Sequence, residues 1–310
     1  MLIIPTKGFG KSVNKHNIRL DVLCDWIESS IMFQNNVPYL SQIDIADVLL
    51  EEERYVEQDF ALIGMKDAWS EINKRLSWVG TGASVQLDRK RIQRKLSDWK
   101  ENPAYTFCLL LSLAPFYDWW KENDYTEQGE LFELVTEASL KAQFSDWEVY
   151  RTGWSKDNIV KLRTVAITVA DRLGETIGDI DTWDDPRAKE LGLDILFYRP
   201  FFDNRRGIPV YLMQCASGND WDIKLHTPDL NKWCDIIHFK NASLKAFATP
   251  FCFLDNEYKK CISSVRGLFI ERCRLLRANS YTQNWVDASL KDRIIAWSEP
   301  RINELLSRSK

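Results

Sequence analysis

The chain has 310 residues, of which 45% are hydrophobic, 28% charged and 12% aromatic, and its formal net charge is −4. A slightly acidic chain does not attract nucleic acid through its overall charge, so any contact with phosphates must come from local basic surfaces. The length allows one large domain or two moderate ones.

The cysteine pattern and the hydropathy predict where the protein is found. Seven Cys are scattered without a CxxC pair or a zinc-like spacing. Their odd number, and the absence of a signal-peptide pattern, predict reduced thiols in a cytoplasmic protein. No apolar run reaches the ~20 residues that a membrane span requires. We therefore expect a soluble cytoplasmic protein without membrane contact.

The first part of the chain has helical periodicity. From Ile18 onward, apolar residues recur at spacings of three and four, which is typical of amphipathic helices. A polar segment at residues 121–128 then marks a linker. We predict an all-helical domain over residues 1–125 and a second domain over residues 126–310.

Two segments are rich in basic residues, and both are predicted as helices. The first covers residues 89–99 and the second residues 256–278. Either could contact phosphates through cationic side chains on one face. The alternative for the first is an ordinary solvated helix face balanced by nearby acids. The basic residues of the two segments are Arg89, Lys90, Arg91, Arg94, Lys95, Arg266, Arg272, Arg274 and Arg277.

An acidic helix opens the second domain. Residues 128–144 form an amphipathic pattern in which Glu130, Glu133 and Glu137 are spaced three and four apart, so they share one side of the helix. A strand is predicted at residues 147–154, followed by a helix.

A β-hairpin follows, and it contains two unexpected polar residues. Two almost continuously apolar runs, residues 193–202 and 208–216, flank a polar turn, which predicts strands covered on both faces. Asp194 and Gln214 lie within these runs, and burying them costs several kcal/mol unless they are paired. Neighbouring strands lie about 5 Å apart, so one metal ion could contact both. Alternatively, Asp194 caps a turn and Gln214 bonds to the backbone.

The order of these elements resembles that of the PD-(D/E)xK nuclease superfamily. The order is helix with Glu, strand, helix, strand with Asp, strand ending in Gln, helix, and a final strand at residues 236–239. The resemblance covers residues 126–240, about a third of the chain, and its short motifs are Gly192-Leu193-Asp194-Ile195 and Gln214-Cys215-Ala216. It implies a mixed α/β (α+β) fold, with a restriction-endonuclease-like sheet flanked by helices.

The resemblance also implies a metal site. Mg²⁺, or Mn²⁺, prefers oxygen ligands. The implied ligands are the side chains of Asp194 and Gln214, the backbone carbonyl of Cys215, and Glu133, with Glu130 as second choice for the acidic helix residue. The Cys215 side chain itself is expected to be a buried structural thiol.

The sequence departs from the family pattern at the catalytic lysine. Ala216 occupies the position two residues after Gln214, where the lysine belongs. In this superfamily the lysine can migrate to another element, and Lys224, in a short helix predicted at residues 221–225, is the expected replacement, followed by Lys232.

The resemblance implies Mg²⁺-dependent cleavage of DNA, in bacterial phage defence or restriction. The alternative is a catalytically degenerate subunit that keeps the fold. Such a subunit would bind DNA, or would contact a partner protein of a defence complex through its N-terminal helical domain. A homodimer is also compatible with the sequence.

Overall fold

The computed structural model describes residues 1–120, 125–153, 161–183 and 191–309. Its α-helices are α1 (Leu20–Phe33), α2 (Gln42–Glu51), α3 (Gln58–Val79), α4 (Pro103–Leu113), α5 (Tyr125–Gln143), α6 (Leu162–Leu173), α7 (Leu230–Ile236), α8 (Asp255–Val265), α9 (Arg272–Leu276) and α10 (Ala288–Ser307). Its β-strands are β1 (Tyr39–Ser41), β2 (Val85–Leu87), β3 (Arg91–Arg94), β4 (Glu148–Arg151), β5 (Thr176–Ile177), β6 (Ile195–Tyr198), β7 (Val210–Cys215), β8 (Ile237–His238), β9 (Leu244–Ala248) and β10 (Leu268–Ile270). None of the helices in these ranges has the length and apolarity needed to cross a bilayer.

The chain divides into two compact units. Unit 1 consists of Met1–Asn123, Pro250–Cys252 and Arg272–Lys310, and unit 2 consists of Asp124–Thr249 and Phe253–Glu271. The C-terminal residues, predicted as part of the second domain, therefore belong to unit 1. Helix α10 packs against α4 there.

Unit 1 is not the all-helical domain predicted from the sequence, because it also contains the antiparallel sheet β1-β3-β2. The basic segment at residues 89–99 contributes strand β3 rather than a helix. The Asp88 carboxylate accepts hydrogen bonds from the backbone N–H groups of Lys90 and Arg91, both at 2.7 Å, which closes the β2–β3 turn. Ile92 is then buried while Arg91 and Gln93 are exposed, which is strand alternation.

Arg272 is a buried ion-pair residue of unit 1, not part of an exposed basic helix. Its Nη2 lies 2.5 Å from Oδ1 of Asp25, and Nη1 of Arg75 lies 2.9 Å from the same oxygen. All three residues are at most 3% exposed. The prediction that Arg272 presents its charge to phosphates is therefore wrong, since the burial of Asp25 requires cationic partners.

Unit 2 is built on a mixed five-stranded sheet in the order β4-β6-β7-β9-β10. The first two pairings are antiparallel, and the pairings of β7 with β9 and of β9 with β10 are parallel. The predicted hairpin is confirmed as β6 and β7, in a register that places Ile195 opposite Met213. The helix predicted after the strand at residues 147–154 is α6, and residues 154–160, which precede it, lie outside the described residues.

Both faces of the hairpin are covered, as its apolar runs predict. Leu196 and Leu212 belong to a core cluster formed with residues of α6 and α7. Phe197, which points to the opposite face, packs on Phe144 and stacks on Trp147, with ring centroids 5.2 and 4.5 Å away. Phe144 and Trp147 directly follow α5. The mixed α/β sheet flanked by helices is thus present.

Two predictions for the end of unit 2 are confirmed only in part. The strand predicted at residues 236–239 is the short β8, which pairs with β5 outside the main sheet. The helix predicted over residues 256–278 is interrupted by β10, which adds to the parallel edge of the sheet. Gly267 permits this approach, because a Cβ there would lie 1.9 Å from the carbonyl oxygen of Lys245 on β9.

Candidate metal centre

Asp194 is fixed by both strands that flank β6. Its N–H donates to the carbonyl of Met213 on β7, and its carbonyl accepts from the N–H of Thr152, each at 2.9 Å. The Thr152 hydroxyl also donates to the carbonyl of Leu193 at 2.7 Å. Asp194 is only 6% exposed, so its carboxylate is held at the beginning of β6 in a largely buried position.

The predicted ligands Asp194, Gln214 and Cys215 are in direct contact. Oδ2 of Asp194 accepts a short hydrogen bond from Nε2 of Gln214 and a second one, of 2.6 Å, from the N–H of Cys215. Nε2 of Gln214 also donates to the carbonyl of Cys215 at 3.1 Å. One amide nitrogen thus lies between two of the oxygens that the resemblance assigned to the metal.

The other end of the Gln214 amide contacts Thr227. The Thr227 hydroxyl lies 3.0 Å from Oε1 of Gln214 and 2.7 Å from the carbonyl oxygen of Lys224. Because a hydroxyl carries one proton, it can donate to only one of these two acceptors at a time. Gly192, at φ +73°, leaves room for this contact, since a Cβ there would lie 2.8 Å from both Oε1 of Gln214 and Cβ of Thr227.

Glu133 approaches the same end of the sheet from helix α5. Its carboxylate lies 3.3 Å from Nη1 of Arg151, and Glu137, one turn further along, lies 3.9 Å from Nε of Arg151. Burial, together with the charges of Asp194 and Glu133, raises the pKa of the Cys215 thiol well above its ordinary value. The two carboxylates therefore act on one thiol, which stays protonated and is unsuited to nucleophilic attack.

The two candidate lysines have other partners. Nζ of Lys224 lies 3.7 Å from Oδ1 of Asp220, in an ion pair whose lysine side chain is 40% exposed. Nζ of Lys232 lies 5.2 Å from the ring centroid of Trp183. Lys224 is connected to Gln214 through its backbone carbonyl and Thr227, not through its charge.

Three residues of this site were not identified from the sequence. Thr152 and Thr227 hold Asp194 and Gln214, and Arg151 neutralises Glu133. Each is an ordinary polar residue in its local pattern, and its partner is 13 to 42 residues away along the chain. Such pairing becomes visible only when the strands are assembled.

Comparison of the chain with known protein families, with curated proteins and with solved structures gave no match.

Proposed function

We propose that unit 2 is a nuclease of the PD-(D/E)xK type, which cleaves DNA phosphodiester bonds with Mg²⁺ or Mn²⁺. The observation that carries the proposal is the contact between Asp194, Gln214 and the Cys215 backbone at the ends of two neighbouring strands. The order of the sheet supports it as well. Asp194 immediately precedes the second strand, β6, and Gln214 lies on the third, β7, an arrangement like the one that the resemblance implies.

The donor set fits a hard divalent cation. Asp194 offers a carboxylate, Cys215 a backbone carbonyl, and Gln214 an amide oxygen, which are ligand types that Mg²⁺ and Mn²⁺ accept. A half-turn of the Gln214 amide would let its nitrogen donate to Thr227, whose proton then serves the carbonyl of Lys224. The amide oxygen would then face Asp194 and the Cys215 carbonyl. The Cys215 N–H would still donate to Oδ2 of Asp194, but the amide nitrogen would no longer bridge these oxygens, and the resulting group of acceptors favours a cation.

The residues of the chain orient the site and set its charge. A bound divalent ion would lower the pKa of a coordinated water and neutralise charge on the phosphate. Thr152 fixes the peptide that carries Asp194, and Thr227 fixes the orientation of the Gln214 amide. Glu133 supplies the second carboxylate, and Arg151 holds it in place. The glutamine contributes no charge, so the site has fewer negative charges than one with an acid at that position.

A second candidate function is a catalytically inactive subunit of a defence complex, which binds DNA or a partner protein. It is favoured by the contacts of Lys224 and Lys232, whose ammonium groups are engaged by Asp220 and Trp183. The two candidates differ in turnover, not in fold.

Plasmid cleavage by the purified full chain tests the proposal. Wild type, Asp194→Asn and Asp203→Asn are incubated with supercoiled plasmid and Mg²⁺ or Mn²⁺, and Mn²⁺ binding is measured by calorimetry. Asp203→Asn is the matched control, because it removes an exposed carboxylate from the turn of the same hairpin.

The proposal predicts that wild type and Asp203→Asn cleave the plasmid and bind Mn²⁺, and that Asp194→Asn does neither. Equal cleavage by all three proteins would assign the activity to another site or to a contaminant. Mn²⁺ binding that depends on Asp194, without cleavage, would favour the inactive subunit. The absence of both would reject the metal site.

A further inference from the structure

Unit 1 contains a cavity of about 680 Å³ that the proposed nuclease site does not use. It lies between the beginning of α2, one face of α3 and the β2–β3 turn. This volume is within the range of about 300–1,000 Å³ that is typical of ligand pockets. Lys90 and Arg91, which belong to the basic segment at residues 89–99, line this cavity.

The floor of the cavity is aliphatic. Ile43 of α2 and Leu62 and Ile63 of α3 line it, and Ile43 and Ile63 are 56% and 47% exposed. Leu62, Ile63, Lys66 and Asp59 are spaced three and four apart, so α3 presents one continuous face to the cavity. Exposed isoleucines that line one concave surface are a feature of binding sites.

Cations surround this apolar floor. Lys66, Lys90 and Arg91 line the cavity, against one acidic residue, Asp59. Among the residues that the structure describes, no carboxylate forms an ion pair with Lys66 or Lys90, and Arg91 lies 4.1 Å from the ring centroid of Tyr39. In a chain of net charge −4 this is a local positive surface that attracts anionic groups.

The backbone argues against a phosphate as the anionic group. The N–H groups of Lys90 and Arg91 donate to Asp88, and the N–H of Gln42 donates to the carbonyl of Lys90. At the beginning of α2, Ser41 and Asp44 form a reciprocal capping box. The donors that usually surround a phosphate at such a place are therefore already used.

We infer that this cavity docks an acidic amphipathic helix of a partner protein. Apolar side chains at spacings of three and four enter the cavity against Ile43, Leu62 and Ile63, and flanking carboxylates pair with Lys66, Lys90 and Arg91. A helix in an apolar groove with a charged rim is a common mode of peptide recognition. Complementary charge also contributes to the specificity for such acidic helices and speeds their association.

Selection from a displayed library of helical peptides tests this inference. The full chain is the target, and selected peptides are measured by fluorescence anisotropy against wild type, Lys66→Glu, Lys90→Glu and Ile63→Asp. Two variants serve as controls: Lys15→Glu, at an exposed lysine that does not line the cavity, and Ile167→Asp, at an isoleucine of α6 that is 45% exposed. Circular dichroism confirms that each variant is folded. A single-stranded oligonucleotide of 15 nucleotides is the competing probe.

The inference predicts enrichment of helices with Asp and Glu beside apolar residues three and four apart. Their affinity should fall at least tenfold in Lys66→Glu, Lys90→Glu and Ile63→Asp, and stay within twofold in the two controls. Failure to enrich such peptides, or equal binding to all variants, would overturn it. Oligonucleotide binding that depends on Lys66 and Lys90 but not on Ile63 would also overturn it, and would assign the surface to nucleic acid.

Discussion

The Gln214 side chain donates through Nε2 to Oδ2 of Asp194, across two neighbouring antiparallel strands. Both side chains are less than 10% exposed, so each satisfies the other in a largely apolar hairpin. An amide can donate to a carboxylate and can also accept a cation through its oxygen. A second carboxylate at the same position could only accept, and this difference can be tested.

Gln214→Glu should destabilise the metal-free protein and strengthen its response to metal. Glutamate at neutral pH cannot donate to Asp194, and the lost hydrogen bond costs about 1–3 kcal/mol. Repulsion raises the pKa of the two facing carboxylates, so the deficit should shrink as the pH falls and the pair takes up a proton. Thermal unfolding in EDTA and in Mn²⁺ measures both effects. Gln93→Glu, at an exposed strand position, should show neither.

Thr227→Val should release the Gln214 amide while keeping the volume of the side chain. The oxygen of Gln214 and the carbonyl of Lys224 lose the one hydroxyl donor that they share, and we expect a loss of about 1–3 kcal/mol in the free energy of unfolding. Mn²⁺ affinity should fall as well, because the amide is no longer oriented. Thr168→Val is the control, since that hydroxyl donates to the Thr164 carbonyl at 2.8 Å on an exposed helix face. Equal destabilisation by both variants would contradict the role given to Thr227.

Arg151→Met should reduce cleavage more than Lys224→Met. Arg151 lies 3.3 Å from Glu133, whereas the Lys224 ammonium pairs with Asp220 in a more exposed position. We expect Arg151→Met to lower the cleavage rate at least tenfold and Lys224→Met to change it less than threefold. Single-turnover cleavage, with DNA binding measured separately, distinguishes the two. Loss of cleavage in Lys224→Met with DNA binding retained would instead identify Lys224 as the migrated lysine.

Asp25→Asn should destabilise unit 1 by about 3–5 kcal/mol, because it removes the buried carboxylate that pairs with both Arg75 and Arg272. Burial alone would raise the pKa of Asp25, but the two guanidinium groups outweigh it and lower this pKa below its ordinary value. The stabilisation is therefore present above the unfolded pKa of about 3.9 and is lost as the pH falls through the folded pKa. The difference between wild type and variant should shrink in that acidic range.

Hydrogen exchange of the α1 amides measures this stability of unit 1 across the acidic range. Glu53→Gln is the control, since Glu53 pairs with Lys11 in an exposed position and should contribute little. A difference between wild type and Asp25→Asn that does not change with pH would contradict the assigned pKa shift.

The local sequence pattern was sufficient to predict an element that is formed by residues close to one another in the chain. The β6–β7 hairpin follows from two apolar runs around a polar turn, and α5 follows from its amphipathic spacing. The same reasoning failed for β3 and β10, whose short sequences also fit a helix. A turn closed by Asp88 decides the first, and the close approach of Gly267 to β9 decides the second.

The sequence by itself determined that a carboxylate and an amide lie within a buried hairpin, because Asp194 and Gln214 both belong to the apolar runs that form it. Only the tertiary structure decided what these side chains contact. Thr227 reaches Gln214 from the connection that follows β7, and Arg151 reaches Glu133 from the neighbouring strand β4 to helix α5. The same holds for Arg272, whose charge is buried against Asp25, 247 residues away. Partners so distant in sequence leave no local periodicity, and packing of the assembled elements alone brings them together.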